Sequence, residues 1–137
     1  AEKAGRVVLG GGRPGGELTD GYFVDTTIFA DVDPDSSLAQ NEVFGPVLSI
    51  IPFDTEEQAV EIANSTAYGL SNYVQTSDMR RARRLARDLR SGTIGINGTG
   101  NMHVGAPFGG VGISGFGREG GREGVMEFVS TKTVLVG

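Results

Sequence analysis

The chain has 137 residues and a formal net charge of −5, from 12 basic and 17 acidic side chains, with 23 glycines and no cysteine. The lack of cysteine excludes disulfides, zinc–thiolate sites and a cysteine nucleophile from within this chain. The acidic balance argues against general nucleic-acid binding. No apolar run reaches the length of a membrane span and no basic-then-apolar leader is seen, so we expect a soluble protein without a membrane partner. The expected location is the cytoplasm.

Strands and helices are predicted to alternate along the chain. In chain order, the sequence predicts a short β-branched run within 6–12 that its glycines stop, and strands at 22–32 and 46–53. It then predicts a helix that begins after Thr55 and a strand at 71–76. It further predicts a helix within 77–92, a strand at 93–97, a short helix within 121–129 and a closing strand at 131–137. This alternation is typical of an α/β sheet with helices packed on it. No internal linker is visible, so we expect one structural unit.

Two of the helices are predicted from their capping and their apolar spacing. Thr55 and Gln58 form the capping-box pattern at the start of the first. In the second, Ser77 is the expected N-cap, and a single apolar stripe is expected along the helix, made of Met79, Ala82, Leu85, Ala86 and Leu89. The six arginines of this segment then lie on the opposite, solvated face rather than forming a nucleic-acid site.

The segment "PFGGVGISGFGREGG" (107–121) contains the pattern G-x-G-x-x-G twice. A dinucleotide-binding loop needs a strand directly before the first glycine and an acid about twenty residues later. Here a long loop separates the segment from the strand at 93–97, and no suitable acid follows. We therefore expect a tight structural loop whose glycines allow positive φ and close backbone approach.

Two further patterns resemble sites but lack a required feature. Residues 31–42 carry acids at positions 1, 3, 5 and 12 of a calcium loop, yet Ser36 stands where the sharp turn needs glycine. We expect an acidic turn that caps a following helix, and no metal site. The only histidine, His103, has no neighbouring acid or nucleophile, so a catalytic role is not expected.

The stretch "NEVFGPV" (41–47) places a carboxylate and an aromatic ring, Glu42 and Phe44, before a Gly-Pro turn. If the stretch is extended, the two side chains point the same way. A carboxylate can accept two ribose hydroxyls, and a ring can pack on a flat heterocycle. The alternative is a helix-end acid and a core phenylalanine, which the residues alone favour.

Six segments, in order and nearly covering the chain, resemble the C-terminal portion of the NAD(P)-dependent aldehyde dehydrogenase superfamily. They are "GYFVDTTIFADV", "LAQNEVFGPVLSIIPF", "EEQAVEIANSTAYGLSNYVQT", "SGTIGIN", "APFGGVGISGFGREGG" and "STKTVLVG". The resemblance implies a three-layer αβα-type fold with helices on both faces of the sheet. Residues 1–130 would be the C-terminal part of the catalytic domain and 131–137 an oligomerisation strand.

The resemblance also implies roles for individual residues. Glu42 would bind the nicotinamide ribose of NAD or NADP, and Phe44 would pack near the nicotinamide. Phe108 and Met102 would line the channel that admits a small aldehyde. Two further positions would be structural: Asn97 in the active-site framework and Arg118 at the subunit interface. Glu42 as a cofactor ligand reverses the preference drawn from the residues alone.

The sequence departs from the family pattern at Thr26, where a proline is usual, and at Asn41, where an acid often stands. More important, the family's nucleophilic cysteine, general-base glutamate and dinucleotide-binding domain all precede this portion. The implied partners are the remainder of the subunit and further copies in a homo-oligomer. Two alternatives are a non-catalytic module that docks on a full-length subunit and a free-standing nucleotide-binding domain.

Overall fold

A computed structural model of the chain describes residues 4–99 and 102–137. The chain forms two compact units, Ala1–Thr66 and Ala67–Gly137, rather than the single unit expected from the lack of a linker. Both mix strands and helices, which confirms the α/β class. None of the helices in the described ranges combines the length and the apolar character needed to cross a membrane.

The first unit contains a three-stranded sheet in the order β1-β2-β3. Its elements are β1 (Arg6–Leu9), a 3-10 turn (Gly16–Leu18), β2 (Thr27–Ala30), α1 (Ser37–Gln40), β3 (Val47–Ser49) and α2 (Glu56–Asn64). β1 runs antiparallel to β2, and β3 runs parallel to β2 with Ile28 opposite Leu48. β1 ends at the glycines, as predicted, whereas β2 and β3 are shorter than predicted because only these residues find partners in the sheet.

The core of the first unit is small. Phe29, in β2, and Val32, just after it, are buried, and so is the hydroxyl-bearing Thr27 at the start of β2. The Thr27 hydroxyl donates to the carbonyl of Asp25 at 2.9 Å and accepts from the Gly11 N–H at 3.0 Å, so its burial leaves no polar atom unpaired. The near-continuous apolar run predicts a β3 covered on both faces, but Leu48 is 56% exposed, so its face of the strand is not covered by the described residues.

The second unit is built around a parallel strand pair joined by a helix. It contains β4 (Ser71–Val74), α3 (Met79–Asp88), β5 (Thr93–Ile96), a 3-10 turn (Gly112–Ser114) and α4 (Gly121–Met126). β4 and β5 pair in register from Ser71 opposite Thr93 to Val74 opposite Ile96. The predicted closing strand does not form within the described chain, where 131–137 are exposed and lack a ladder partner.

Of the two predicted helix caps, the one at Thr55 is confirmed and the one at Ser77 is wrong. The Thr55 hydroxyl accepts from the Gln58 N–H, as predicted, while the Gln58 side chain accepts from Asp54 rather than from Thr55. The N-cap of α3 is Asp78, not Ser77. A carboxylate one residue closer to the helix reaches two orphan N–H groups at once, which explains the difference.

The apolar stripe of α3 packs as predicted for four of its five members. Ala82 is fully buried, and Leu85, Ala86 and Leu89 are half-buried, whereas Met79 is half-exposed at the first turn. All six arginines of the segment are exposed, which confirms the solvated face (Arg80, Arg81, Arg83, Arg84, Arg87, Arg90).

The N-cap carboxylate of Asp78 is expected to make the stability of α3 depend on pH. The N–H of Arg80 donates to its carboxylate at 2.8 Å and that of Arg81 at 3.3 Å, and these bonds hold the pKa of Asp78 below its usual 3.8. A lowered folded-state pKa means that the stabilisation is complete above the unfolded-state pKa and is lost as pH falls through the folded one. Below about pH 4 we therefore expect the thermal midpoint of the native chain to fall more steeply than that of Asp78→Asn.

Circular dichroism melts at stepped pH measure this difference, since the asparagine keeps an acceptor oxygen but cannot be protonated. Melting curves of the two proteins that stay parallel down to pH 2 would show that the cap does not carry this charge dependence.

Candidate functional site

The segment that carries Glu42 and Phe44 begins at the end of α1. The Ser36 hydroxyl caps this helix by accepting from the Ala39 N–H, and the Asn41 side-chain amide donates to the carbonyl of Ser37 at 3.1 Å. The chain then leaves the helix in an extended conformation at Asn41. The predicted acidic turn before the helix is confirmed: the Asp33 carboxylate accepts from the Asp35 N–H at 2.9 Å. Within the described ranges, no group of three His, Asp or Glu side chains could hold a metal ion.

Between α1 and β3 the backbone makes two successive tight turns. The Gly45 N–H donates to the carbonyl of Val43, and the Val47 N–H to that of Gly45, each at 2.8 Å. The chain is therefore not extended at Phe44, and alternation along a strand cannot fix the direction of its ring.

Glu42 and Phe44 both face solvent in the first unit. Phe44 is 97% exposed, so the core interpretation of this ring is wrong for the described chain. The Glu42 carboxylate is exposed and makes no hydrogen bond or ion pair with any residue that the structure describes. A free carboxylate and a free aromatic face, two residues apart on a tight turn, are available to a ligand with hydroxyls and a flat ring.

The glycine-rich segment of the second unit folds back on itself. Phe108 and Glu119 form an isolated antiparallel bridge with two backbone hydrogen bonds of 2.7 Å. The Arg118 guanidinium donates to the carbonyls of Gly110 and Gly117, at 2.9 and 2.6 Å, and fastens the loop internally. Five glycines in this segment have positive φ (Gly112, Gly115, Gly117, Gly120, Gly121).

The structure thus confirms the tight structural loop. In the described chain, β5 ends at Ile96, well before this segment, and only the short 3-10 turn Gly112–Ser114 lies inside the first G-x-G-x-x-G pattern. The α-helix α4 begins at Gly121, after the second pattern. The arrangement required of a dinucleotide-binding loop is missing from the described part of this segment.

An open cavity of about 290 Å³ lies against this loop, within the second unit. Its wall includes two aromatic rings, one guanidinium and two carboxylates (Phe108, Phe116, Arg118, Glu119, Glu127). Phe108 is half-buried and Phe116 is fully exposed at the rim. Two of the predicted residues, Phe108 and Arg118, therefore meet at one cavity.

Asn97 follows directly after β5, where hydrogen bonds hold both its backbone and its side chain. Its backbone N–H donates to the carbonyl of Val74 at 2.8 Å, and its φ is +54°. Its side-chain oxygen accepts from the Thr76 N–H at 2.8 Å while its side-chain nitrogen donates to the Thr76 carbonyl at 2.9 Å. This reciprocal pair joins the ends of the two parallel strands.

The remaining predicted positions lie on the surface. Met102 is exposed, and so is His103, whose Nδ1 accepts from the Gly105 N–H at 3.0 Å. Two residues that the sequence did not single out have structural roles: Thr76, the partner of Asn97, and Ser114, whose hydroxyl accepts from the Gly69 N–H. Both contacts join residues more than twenty positions apart, and no local pattern signals them.

Comparison with known proteins identifies the family. The profile of the aldehyde dehydrogenase family matches residues 1–134. The chain belongs to this family. Among aldehyde dehydrogenases of known sequence, it is 45% identical over 135 residues to 3-succinoylsemialdehyde-pyridine dehydrogenase from a Pseudomonas species, with 98% of this chain and 28% of that protein covered. It is 48% identical to geranial dehydrogenase from Castellaniella defragrans, covering 96% and 27%.

Family members of known structure share the fold. The crystal structure of Mycobacterium tuberculosis aldehyde dehydrogenase complexed with NAD+ matches 99% of this chain and 28% of its own chain, with a TM-score of 0.91 and 49% identity. Aldehyde dehydrogenase from Bartonella henselae matches 96% of this chain with a TM-score of 0.89 and 47% identity. The chain therefore spans little more than a quarter of the length of these relatives.

Proposed function

We propose that this chain is the C-terminal portion of a cytoplasmic NAD(P)-dependent aldehyde dehydrogenase, which oxidises a small aldehyde to a carboxylic acid. Two findings support this proposal. The chain belongs to the family, and 98% of it aligns with a relative of which it covers only 28%. One of the similar proteins of known structure is a complex with NAD+. The chain would supply contacts to the cofactor and part of the substrate channel, and the remainder of the subunit would supply the rest.

The observation that carries the proposal is the free pair formed by Glu42 and Phe44. Both side chains are exposed, and Glu42 has no partner among the described residues. The carboxylate suits the two hydroxyls of a nicotinamide ribose, and the Phe44 ring suits the face of the nicotinamide. The residues present therefore fit NAD(P)+, which supplies a hydride acceptor when bound.

On the substrate side, Phe108 and Met102 would form channel wall. Phe108 is held by its two backbone bonds to Glu119, so the ring is presented from a fixed backbone. Asn97 would maintain the framework by joining the ends of β4 and β5. Positioning of this kind lowers the barrier by keeping reacting groups in near-attack geometry.

Two larger features belong to the complete protein in this proposal. The parallel strand pairs β2–β3 and β4–β5 would be part of a three-layer domain, comprising residues 1–130 here, with helices on both faces of the sheet. The exposed segment 131–137 would act as an oligomerisation strand in a homo-oligomer, with Arg118 supporting the subunit interface.

The purified 137-residue chain is predicted to show no steady oxidation of aldehydes with NAD+ or NADP+. The sequence contains no cysteine, and the family's covalent step needs a thiolate nucleophile from the remainder of the subunit. Absorbance of NADH at saturating aldehyde and cofactor measures this directly. Sustained turnover proportional to chain concentration would refute our assignment of the chemistry.

A second assay separates the proposal from the alternative of a non-catalytic docking module. If this portion only assembles, substitution of Glu42 in the complete subunit leaves aldehyde oxidation unchanged. If it contacts the cofactor, the same substitution weakens the use of NAD(P)+ selectively.

A further inference from the structure

Asn97 and Gly98 form an Asn-Gly dipeptide at the end of β5, and Asn97 is exposed to water. We propose that Asn97 is a site of spontaneous deamidation and that its reciprocal contact with Thr76 holds this reaction back in the folded chain. The inference concerns covalent ageing of the chain and does not depend on its enzymatic role.

The reaction needs only water and the chain itself. The backbone nitrogen of Gly98 gives its proton to water or hydroxide and attacks the side-chain carbonyl carbon of Asn97, forming a new C–N bond. The C–Nδ2 bond breaks, the side-chain nitrogen takes up a proton from water and leaves as ammonia, and a succinimide ring remains. Water then opens the ring at either carbonyl, giving aspartate or isoaspartate at position 97. Glycine has no side chain to hinder the attacking nitrogen, which makes this dipeptide the reactive one.

The native contacts of the Asn97 side chain oppose each part of this reaction. Its oxygen accepts from the Thr76 N–H at 2.8 Å and its nitrogen donates to the Thr76 carbonyl at 2.9 Å. The carbonyl carbon must become tetrahedral and the nitrogen must depart, so both bonds have to open first. The backbone bond from Asn97 to Val74, at 2.8 Å, further restrains rotation about the residue. The reaction therefore proceeds from a locally opened state, and its rate follows the population of that state.

The product cannot restore the contact. In aspartate an oxygen replaces the donor nitrogen, so two acceptors face each other at the Thr76 carbonyl. In isoaspartate the main chain gains one carbon at the point where it leaves β5. Either product weakens the contact with Thr76 that joins the ends of β4 and β5. A chain that has reacted at position 97 therefore opens locally at this junction more often than the native chain.

The chain carries its own references for the test. Three other described asparagines precede residues with side chains: Asn41 before Glu42, Asn64 before Ser65 and Asn72 before Tyr73. The intact chain is incubated at pH 8, both folded and in concentrated urea, and deamidation is followed at each asparagine by peptide mass spectrometry with an isoaspartate assay.

In urea, Asn97 is expected to react faster than all three references, and Gly98→Ala is expected to remove most of that excess. In the folded chain, the Asn97 rate is expected to fall about tenfold or more, the effect of closing two hydrogen bonds. Equal rates at Asn97 in the folded and unfolded chain would overturn the protective role of Thr76. A rate in urea no higher than at Asn41 would overturn the reactive site itself. The comparison in urea does not depend on any variant folding.

Discussion

Replacing Gly112 by alanine is expected to lower the free energy of unfolding of the second unit by about 3 kcal/mol. Gly112 opens a 3-10 turn with a φ of +61°, a conformation that is strained for any residue with a Cβ. A Cβ there would also run into the carbonyl oxygen of Ala67. That oxygen is not free to move, because it accepts the Ile113 N–H at 3.1 Å. Backbone strain and a backbone clash therefore add at this position.

Gly105→Ala is the matched control, since it lies in the same loop region without positive φ. A Cβ at Gly105 meets only the exposed ring of His103, so we expect a change within about 0.5 kcal/mol. Urea titration followed by circular dichroism, with hydrogen exchange of the β4 and β5 amides, gives both values for the second unit. Equal stabilities of Gly112→Ala and Gly105→Ala would show that the glycine is not dictated by the turn. A selective loss of NAD+ affinity at native stability would instead favour a free-standing nucleotide-binding domain.

The second large effect would test the proposed contact between Glu42 and the cofactor in the complete subunit. Glu42→Gln is expected to lower kcat/KM for NAD(P)+ about 10- to 100-fold, because a hydrogen bond to a charged group contributes about 1.5–3 kcal/mol. Glutamine keeps the size of the side chain but lacks the charge and one acceptor oxygen. The Glu42 carboxylate has no partner among the described residues, so the thermal midpoint of the 137-residue chain is expected to remain unchanged by Glu42→Gln.

Glu57→Gln, at an exposed acid in the first turn of α2, controls for the loss of one surface charge. Steady-state kinetics with the cofactor varied at saturating aldehyde give the comparison. If both variants behave like the native subunit, Glu42 does not touch the cofactor and the docking-module alternative is favoured. A loss of thermal stability in Glu42→Gln alone would assign the carboxylate a structural role instead.

Local features of the fold could be predicted from the sequence because they depend on neighbouring residues. The stripe around Ala82 and the cap at Thr55 are set by helical spacing. The prediction of Ser77 as the N-cap is wrong because both residue types cap helices, and one residue of offset decides which side chain reaches the N–H groups.

For the candidate site, the proposed roles of Glu42 and Phe44 depend on the resemblance to the family and stay predictions. Spacing alone favours a core position for Phe44, whereas the ring is exposed. The bond between Asn97 and Thr76 depends on parallel pairing of two strands, which brings residues 21 positions apart into contact. The lengths of the strands were overestimated for the same reason: apolar composition shows where a strand can form, and pairing decides where it does.

The edge position of β3 has a consequence for unwanted association. A strand that borders a sheet offers main-chain hydrogen bonds to any extended segment of another chain, and Leu48 and Ile50 expose apolar surface here. Proline stands on both sides of β3, at Pro46 and Pro52, and proline has no N–H to donate. Only the five residues 47–51 can therefore pair with a strand of another chain, which limits the growth of an intermolecular sheet from this edge. The apolar side chains of Leu48 and Ile50 remain accessible.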